Sequence, residues 1–108
     1  MRDEIPPGTL YLLILKTLAH SGELHGYEIA NSIQRISDDV LQIEEGSLYP
    51  ALQRMLIKGW VAAEWRQTEN KRRARYYRLT AAGKKRLEAE VSQFQRVMRG
   101  IGRVIEAG

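Results

Sequence analysis

The periodicity of the side chains changes at Trp60, and the order of segments on either side of that change restricts the fold. Before Trp60, three segments carry apolar residues at the three- and four-residue spacing of helices. From Trp60 to Arg66, and again from Arg73 to Leu79, residue types alternate with period two, which indicates two strands joined by a turn at Thr68 to Lys71. Helical spacing returns after Thr80. The predicted order is three helices, a two-stranded ribbon and a long helix.

The first helix is apolar around most of its circumference. Thr9 follows Pro6-Pro7-Gly8, which ends a short arm, and is the predicted N-cap of a helix that runs to about His20. A helix that is apolar nearly all round must be covered on more than one side. In a chain of 108 residues, a second copy is the expected cover. After a Ser21–Leu24 loop, a second helix is predicted from about His25 to Ile36.

The third helix is predicted to begin near Ser47 and to end at Gly59. With Ser47 as N-cap, Pro50 falls in the first turn, where its missing N–H would have no partner within the helix. Its polar positions are candidates for DNA contact, because Gln pairs with adenine and Arg with guanine, and a helix N-terminus attracts phosphate. The alternative is an amphipathic helix with a solvated polar face. The candidates are Ser47, Tyr49, Gln53 and Arg54.

The excess positive charge of the chain lies in one segment. The formal net charge is +4, yet residues 1–65 hold five Lys or Arg against nine acids. Residues 66–86 hold nine Lys or Arg against one acid, and residues 87–108 hold three of each. Charge concentrated in this way indicates a polyanionic partner.

The tip of the ribbon carries the densest part of this charge. Arginines on a narrow ribbon can lie along phosphates or enter a minor groove. The alternative is a charged edge that discourages strand aggregation. The four cations concerned are Lys71, Arg72, Arg73 and Arg75.

Three helices followed by a β-hairpin is the order of a winged helix-turn-helix domain. The predicted fold class is therefore mainly α with a small β-hairpin, with the winged helix-turn-helix in residues 1–80 and a dimerisation helix in residues 81–108. Apolar residues of the last helix recur in steps of four and three, which favours pairing of helices. The alternative is a terminal helix that packs back on its own domain. The seam consists of Leu87, Val91, Phe94, Met98, Ile101 and Ile105.

The sequence offers no pattern for catalysis or cofactor binding. It contains no Cys, which excludes disulfides and thiolate metal sites, and neither a nucleophile–base–acid set nor a glycine-rich phosphate loop is present. We expect no metal, no cofactor and no enzymatic activity.

Trp60 and Trp65 are interpreted as ribbon and core residues; an alternative places one beside a ligand cavity at a dimer interface. With neither a signal peptide nor an apolar run that could span a bilayer, we expect a cytoplasmic protein without membrane contact.

Several stretches of the chain resemble the PadR transcriptional regulators. The matching stretches are Gly8–Leu15, His25–Ile29, Glu45–Arg54, Lys58–Val61 and Asn70–Gly83. The resemblance implies a dimeric winged-helix repressor that binds palindromic operator DNA, of the short subgroup with one C-terminal helix. It implies DNA contacts from Ser47, Tyr49, Lys71, Arg72, Arg73 and Arg75, and a phosphate contact from Tyr27.

The expected function is that of a homodimeric, sequence-specific DNA-binding transcriptional regulator, with repression as the favoured mode. Its expected partners are double-stranded DNA and a second copy of the chain. A small-molecule effector is a further candidate: bound near the dimer interface, it could alter the spacing of the two third helices. The alternative is a winged-helix interaction module whose basic wing binds an acidic partner. Salt-dependent binding with preference for a particular duplex separates the two.

Overall fold

The computed structural model describes residues 8–108, so the predicted arm through Pro7 lies outside the described residues. Four helices and three short strands make up this part of the chain. In chain order they are α1 (Leu10–Ser21), β1 (Leu24–His25), α2 (Gly26–Ile36), α3 (Glu45–Ile57), β2 (Val61–Gln67), β3 (Arg73–Leu79) and α4 (Ala81–Glu106).

The strands form one antiparallel sheet in the order β1-β3-β2. In the hairpin, which we call the wing (residues 61–79), Ala63 pairs with Tyr77 and Trp65 with Arg75. The prediction of a two-stranded ribbon was incomplete, because β1 adds a third strand where a loop was expected. Two residues are too few to show a period of two, so only the pairing with β3 reveals this strand.

The core lies between α1, α2, α3 and the inner face of the sheet. Ile14 and Leu15 of α1 are fully buried, and α1 contacts α2, α3, β3 and α4. Much of the apolar circumference that was expected to need a second chain is therefore covered within the chain, while Tyr11 and Leu12 stay half-buried. The rest of the buried apolar set is Leu18, Ile29, Ile33, Leu48, Ala51, Leu52, Met55, Val61 and Tyr77.

The start of α3 differs from the prediction. The helix begins at Glu45, with Glu44 rather than Ser47 at the N-cap position, and the Ser47 and Leu48 amides both donate to the Glu44 carbonyl. Acidic residues at a helix N-terminus are favoured by the helix dipole. Pro50 consequently lies inside the helix and cannot donate to the carbonyl four residues earlier. That carbonyl belongs to an exposed glycine, where water can donate in place of the proline.

The long C-terminal helix is anchored at its first turn. As predicted, Thr80 is the N-cap: its Oγ1 accepts from the Gly83 amide at 3.0 Å and donates to the Gly59 carbonyl at 2.6 Å. Gly83 is buried, and a Cβ at this position would overlap the carbonyl oxygen of Trp60. The N-terminal end of α4 thus packs directly on Trp60, the residue before β2. From there the helix, with 26 residues, is about 39 Å long.

Candidate nucleic-acid interface

A cleft of about 970 Å³ separates α3 from the wing. Its walls come from the N-terminal turn of α2, the polar face of α3 and the inner face of β2 and β3. The structure brings together six of the nine predicted DNA-contact residues along this cleft. They are Tyr27, Tyr49, Gln53, Arg72, Arg73 and Arg75.

The other three predicted contacts do not line the cleft. Ser47 is exposed in the first turns of α3, and Lys71 is exposed at the wing tip. Arg54 points towards α1 instead: its Nε donates to the Tyr11 hydroxyl at 2.6 Å, and its guanidinium lies 5.7 Å from the centre of the same ring. Helical spacing placed Arg54 near the polar face, but its partner on another element could not be seen in the sequence.

The position of Tyr49 depends on a glycine across the cleft. Gly26 is the buried first residue of α2, and a Cβ there would lie 2.8 Å from Cε1 and 2.9 Å from Oη of Tyr49. These distances are well inside ordinary carbon contact. The absent side chain therefore allows the Tyr49 ring to lie against the N-terminus of α2, where it joins the two helices on the cleft wall.

The first turn of α2 is fixed by a capping box built on histidine. His25 Nδ1 accepts from the Glu28 amide at 3.4 Å, and Glu28 Oε1 accepts from the His25 amide at 3.1 Å. Such a reciprocal cap satisfies two otherwise unpaired amides. The His25 ring also stacks beside Tyr27, with ring centres 6.4 Å apart, and meets the edge of Tyr76 at 5.4 Å. The cap thus positions Tyr27, whose side chain is largely exposed beside the cleft.

Sequence reasoning did not assign His25 or Gly26 to the site. The available signal for His25 was a glutamate three residues later, the spacing of a capping box, although serine or threonine is the usual first member. The sequence carries no signal for the role of Gly26, because its neighbour Tyr49 belongs to a different helix.

The turn of the wing is closed by Thr68. The Thr68 amide donates to the Arg72 carbonyl at 2.6 Å, and the Lys71 amide donates to the Thr68 carbonyl at 3.0 Å. Lys71 has a φ of 59°, a left-handed conformation, and follows directly after the two central residues of the turn, Glu69 and Asn70. The two strands then return side by side, so that Arg73 and Arg75 occupy the same, inner face of β3.

The inner face of the wing changes from apolar to cationic towards the tip. Val61 and Tyr77 are buried at its base, and burial raises the pKa of the Tyr77 hydroxyl, an effect that the charge of nearby Arg75 partly opposes. Further out, Arg75 is half-buried and its Nε has no hydrogen-bond partner among the described residues. Trp65, expected in the ribbon or core, is 57% exposed on this face.

The predicted seam of α4 is covered only at its beginning. Leu87 packs against the core and Val91 is half-buried. Beyond them the apolar side chains are exposed, from Phe94 at 41% to Ile105 at 73%. Exposed apolar residues in such a row are typical of a surface that pairs with another protein chain.

A family model described as the transcriptional regulator PadR-like family matches residues 14–89. The chain belongs to this family. The predicted resemblance is thereby confirmed, and so is the mainly α winged-helix fold. Members of the PadR-like family are transcriptional regulators rather than enzymes, in agreement with the prediction. No helix within residues 8–108 is both long and apolar enough to cross a membrane.

Solved structures of PadR-like proteins share this fold over most of the chain. A transcriptional regulator from Clostridium thermocellum is 29% identical, with a TM-score of 0.81 and coverage of 89% of this chain and 92% of that chain. A PadR family regulator from Eggerthella lenta is 31% identical, with a TM-score of 0.77, covering 94% and 85%. PadR of Bacillus subtilis, solved in complex with operator DNA, is 26% identical, with a TM-score of 0.69, covering 80% and 48%.

Proposed function

We propose that this PadR-like chain is a homodimeric repressor that binds palindromic promoter DNA in the cleft between α3 and the wing. One observation carries the proposal: the polar face of α3 and the cations of the wing line the same cleft. No carboxylate forms an ion pair with Arg72, Arg73 or Arg75 among residues 8–108, so their charges are available to phosphate. The complex of Bacillus subtilis PadR with operator DNA supports the same partner for this chain.

The two walls of the cleft suit different parts of a duplex. Gln53 and Tyr49 project from a helix that is narrow enough to enter a major groove, so we assign base recognition to them. The wing arginines and Tyr27 lie at the sides and suit the sugar–phosphate backbone, which positions a protein without specifying sequence. Ser47 and Lys71 do not line the cleft but remain predicted phosphate contacts, since both are exposed and adjoin or lie close to residues that do line it.

The exposed apolar row of α4 supports the homodimer. Burying Phe94, Met98 and Ile101 against a second copy would remove apolar surface from water on both chains. A two-fold axis would then present two copies of the cleft to DNA. The two half-sites would lie one helical turn of the duplex apart, about 34–36 Å, or a whole multiple of that distance. A dimer seated on promoter DNA would repress by excluding the transcription machinery.

Duplex selection followed by affinity measurement tests this function. Fragments bound by the purified protein are sequenced, and affinity for the selected duplex and for a scrambled one is measured by fluorescence anisotropy at several salt concentrations. We expect a two-fold symmetric selected site and a steep decrease in affinity with salt. Arg73→Ala with Arg75→Ala should flatten the slope by about one to two phosphate equivalents per subunit. Arg78→Ala, on the opposite face of β3, is the matched control and should leave the slope of log affinity against log salt at the wild-type value.

A second variant tests the assignment of base recognition. Gln53→Ala should lower discrimination between selected and scrambled duplexes by about 1–3 kcal/mol per half-site, with a smaller effect on scrambled DNA. A uniform loss on both duplexes would assign α3 to positioning alone. Equal binding of the wild-type protein to an acidic polypeptide such as polyglutamate and to every duplex would favour the interaction-module function instead.

A further inference from the structure

Trp65 lies where the core no longer requires a large apolar residue. On the inner face of the wing, the pair Ala63 and Tyr77 is covered by the domain, and the next pair outward is Trp65 and Arg75. Trp65 is 57% exposed and borders the cleft together with Gln53 of α3. A tryptophan that is more than half exposed contributes little core burial. Its presence at this pair calls for a role outside the core.

Two arginines lie close to the ring of Trp65. The guanidinium carbons of Arg73 and Arg75 are 5.6 Å and 5.9 Å from the ring centre, within the range of cation–π attraction. Arg75 is the cross-strand partner of Trp65. Arg73 precedes Arg75 by two residues and therefore lies on the same face of β3. The ring therefore restrains both arginines of the inner face at once.

On the opposite face of the wing, Arg66 is held in another way. Arg66 lies over the ring of Tyr76 at 5.2 Å, but it also forms ion pairs with Glu23 and Glu64. These carboxylates neutralise its charge, and their hydrogen bonds raise the pKa of the guanidinium. On the inner face, by contrast, no ion pair to Arg73 or Arg75 occurs in the described part of the chain.

The difference between the faces has a physical consequence. A carboxylate that holds an arginine also cancels its charge and occupies its N–H donors. An aromatic ring attracts the guanidinium through the quadrupole of the ring. The arginine then keeps its full charge, and the N–H groups at the edge of the guanidinium plane stay available to phosphate. We propose that Trp65 is a positioning residue for DNA binding, which pre-orders Arg73 and Arg75 on the cleft wall without neutralising them. This inference rests on the proposed function.

The size of the effect follows from pre-ordering. Association with DNA must immobilise each arginine, and a side chain already restrained loses less freedom when it binds. The restraint cannot exceed the strength of the stack, which corresponds to about a two- to five-fold factor for an exposed cation–π contact. Loss of both contacts should therefore weaken binding measurably, by at most about 25-fold for each subunit.

A pair of substitutions separates the ring from its bulk. Trp65→Leu keeps an apolar side chain but removes the π face, whereas Trp65→Phe keeps a smaller π face. We expect Trp65→Leu to weaken binding to selected and scrambled duplexes alike, and Trp65→Phe to retain most of the affinity. The slope of log affinity against log salt should stay close to the wild-type value in Trp65→Leu, because both charges remain. Thermal unfolding of each variant provides the control for folding.

A double-mutant cycle decides between positioning and direct contact. In the background Arg73→Ala with Arg75→Ala, Trp65→Leu should have no further effect on affinity, since no arginine remains to be ordered. An undiminished effect in that background would show that Trp65 contacts DNA itself and would overturn the proposal. Wild-type affinity in Trp65→Leu would overturn it as well.

A measurement on the DNA-free protein keeps this inference distinct from the proposed function. The ring current of Trp65 should shift the side-chain proton resonances of Arg73 and Arg75, and the shifts should vanish in Trp65→Leu. Absence of these shifts in the wild-type protein would refute the stacking, whether or not the protein binds DNA. Failure of the wild-type protein to bind any duplex would instead remove the proposed function, and the positioning role with it.

Discussion

Gly26→Ala tests whether the cleft depends on the contact between α2 and α3. The added methyl carbon would lie 2.8 Å from Cε1 of Tyr49, whereas carbon atoms pack at about 3.5–4.0 Å, so the ring must move by about 1 Å. Tyr49 is 45% exposed and can turn towards solvent, which keeps the strain small. The helix propensity of alanine exceeds that of glycine by up to about 1 kcal/mol and offsets part of that strain. We therefore expect the free energy of unfolding to change by less than about 1 kcal/mol.

The effect on DNA should be larger than the effect on stability. A displaced Tyr49 would lose the DNA contact proposed for it, so discrimination should decrease by about 1–3 kcal/mol per half-site, with Tyr49→Ala as the upper limit. Anisotropy titrations with selected and scrambled duplexes would measure this for Gly26→Ala, Tyr49→Ala and the double variant. Since both changes act through one ring, their effects should not add. Full discrimination in Gly26→Ala, or strictly additive losses in the double variant, would refute the reasoning.

Two further predictions concern α4. Val91→Asp with Phe94→Asp places charges in the apolar row, where the burial of an unpaired charge is costly, so both the dimer and operator binding should be lost. An intact dimer in sedimentation would contradict the assignment of this row as the dimer interface. Gly83→Ala should destabilise the fold by about 1–3 kcal/mol in urea unfolding, because its Cβ overlaps the Trp60 carbonyl. Gly100→Ala in the same helix meets open space and should stabilise it by up to about 1 kcal/mol, so equal behaviour of the two variants would rule out the overlap.

Elements with long, regular patterns were the ones predicted well from the sequence. The alternation in Arg73–Leu79 gave β3 with the observed bounds, and the threonine cap at Thr80 gave the start of α4. At α3, residue type favoured Ser47 as N-cap, but the N-cap is Glu44, three residues earlier, and the helix begins at Glu45. Helix starts depend on backbone geometry that a suitable side chain alone does not determine, which explains this error.

Contacts between elements were beyond the reach of sequence patterns. The apposition of Gly26 and Tyr49 joins residues far apart in the chain, and so does the hydrogen bond from Arg54 to Tyr11. For Trp65, alternation correctly indicated a position in a strand of the ribbon, but the expected place in the core was wrong. Alternation could not show how far the domain covers the inner face of the wing, and this distance decides whether the residue belongs to the core or to the cleft.

Because of the short strand β1, the length of the connection between α1 and α2 affects the geometry of the cleft. Leu24 and His25 pair with Tyr77 and Tyr76 of the wing, and His25 also caps α2. The wing and the first turn of α2 are therefore tied through consecutive residues. A one-residue insertion after Gly22 would either shift this pairing, which turns each side chain to the other face, or move the start of α2. Among proteins with this architecture, a change in the length of this connection, which lies outside the cleft, would thus alter how α2 and the wing are placed relative to each other.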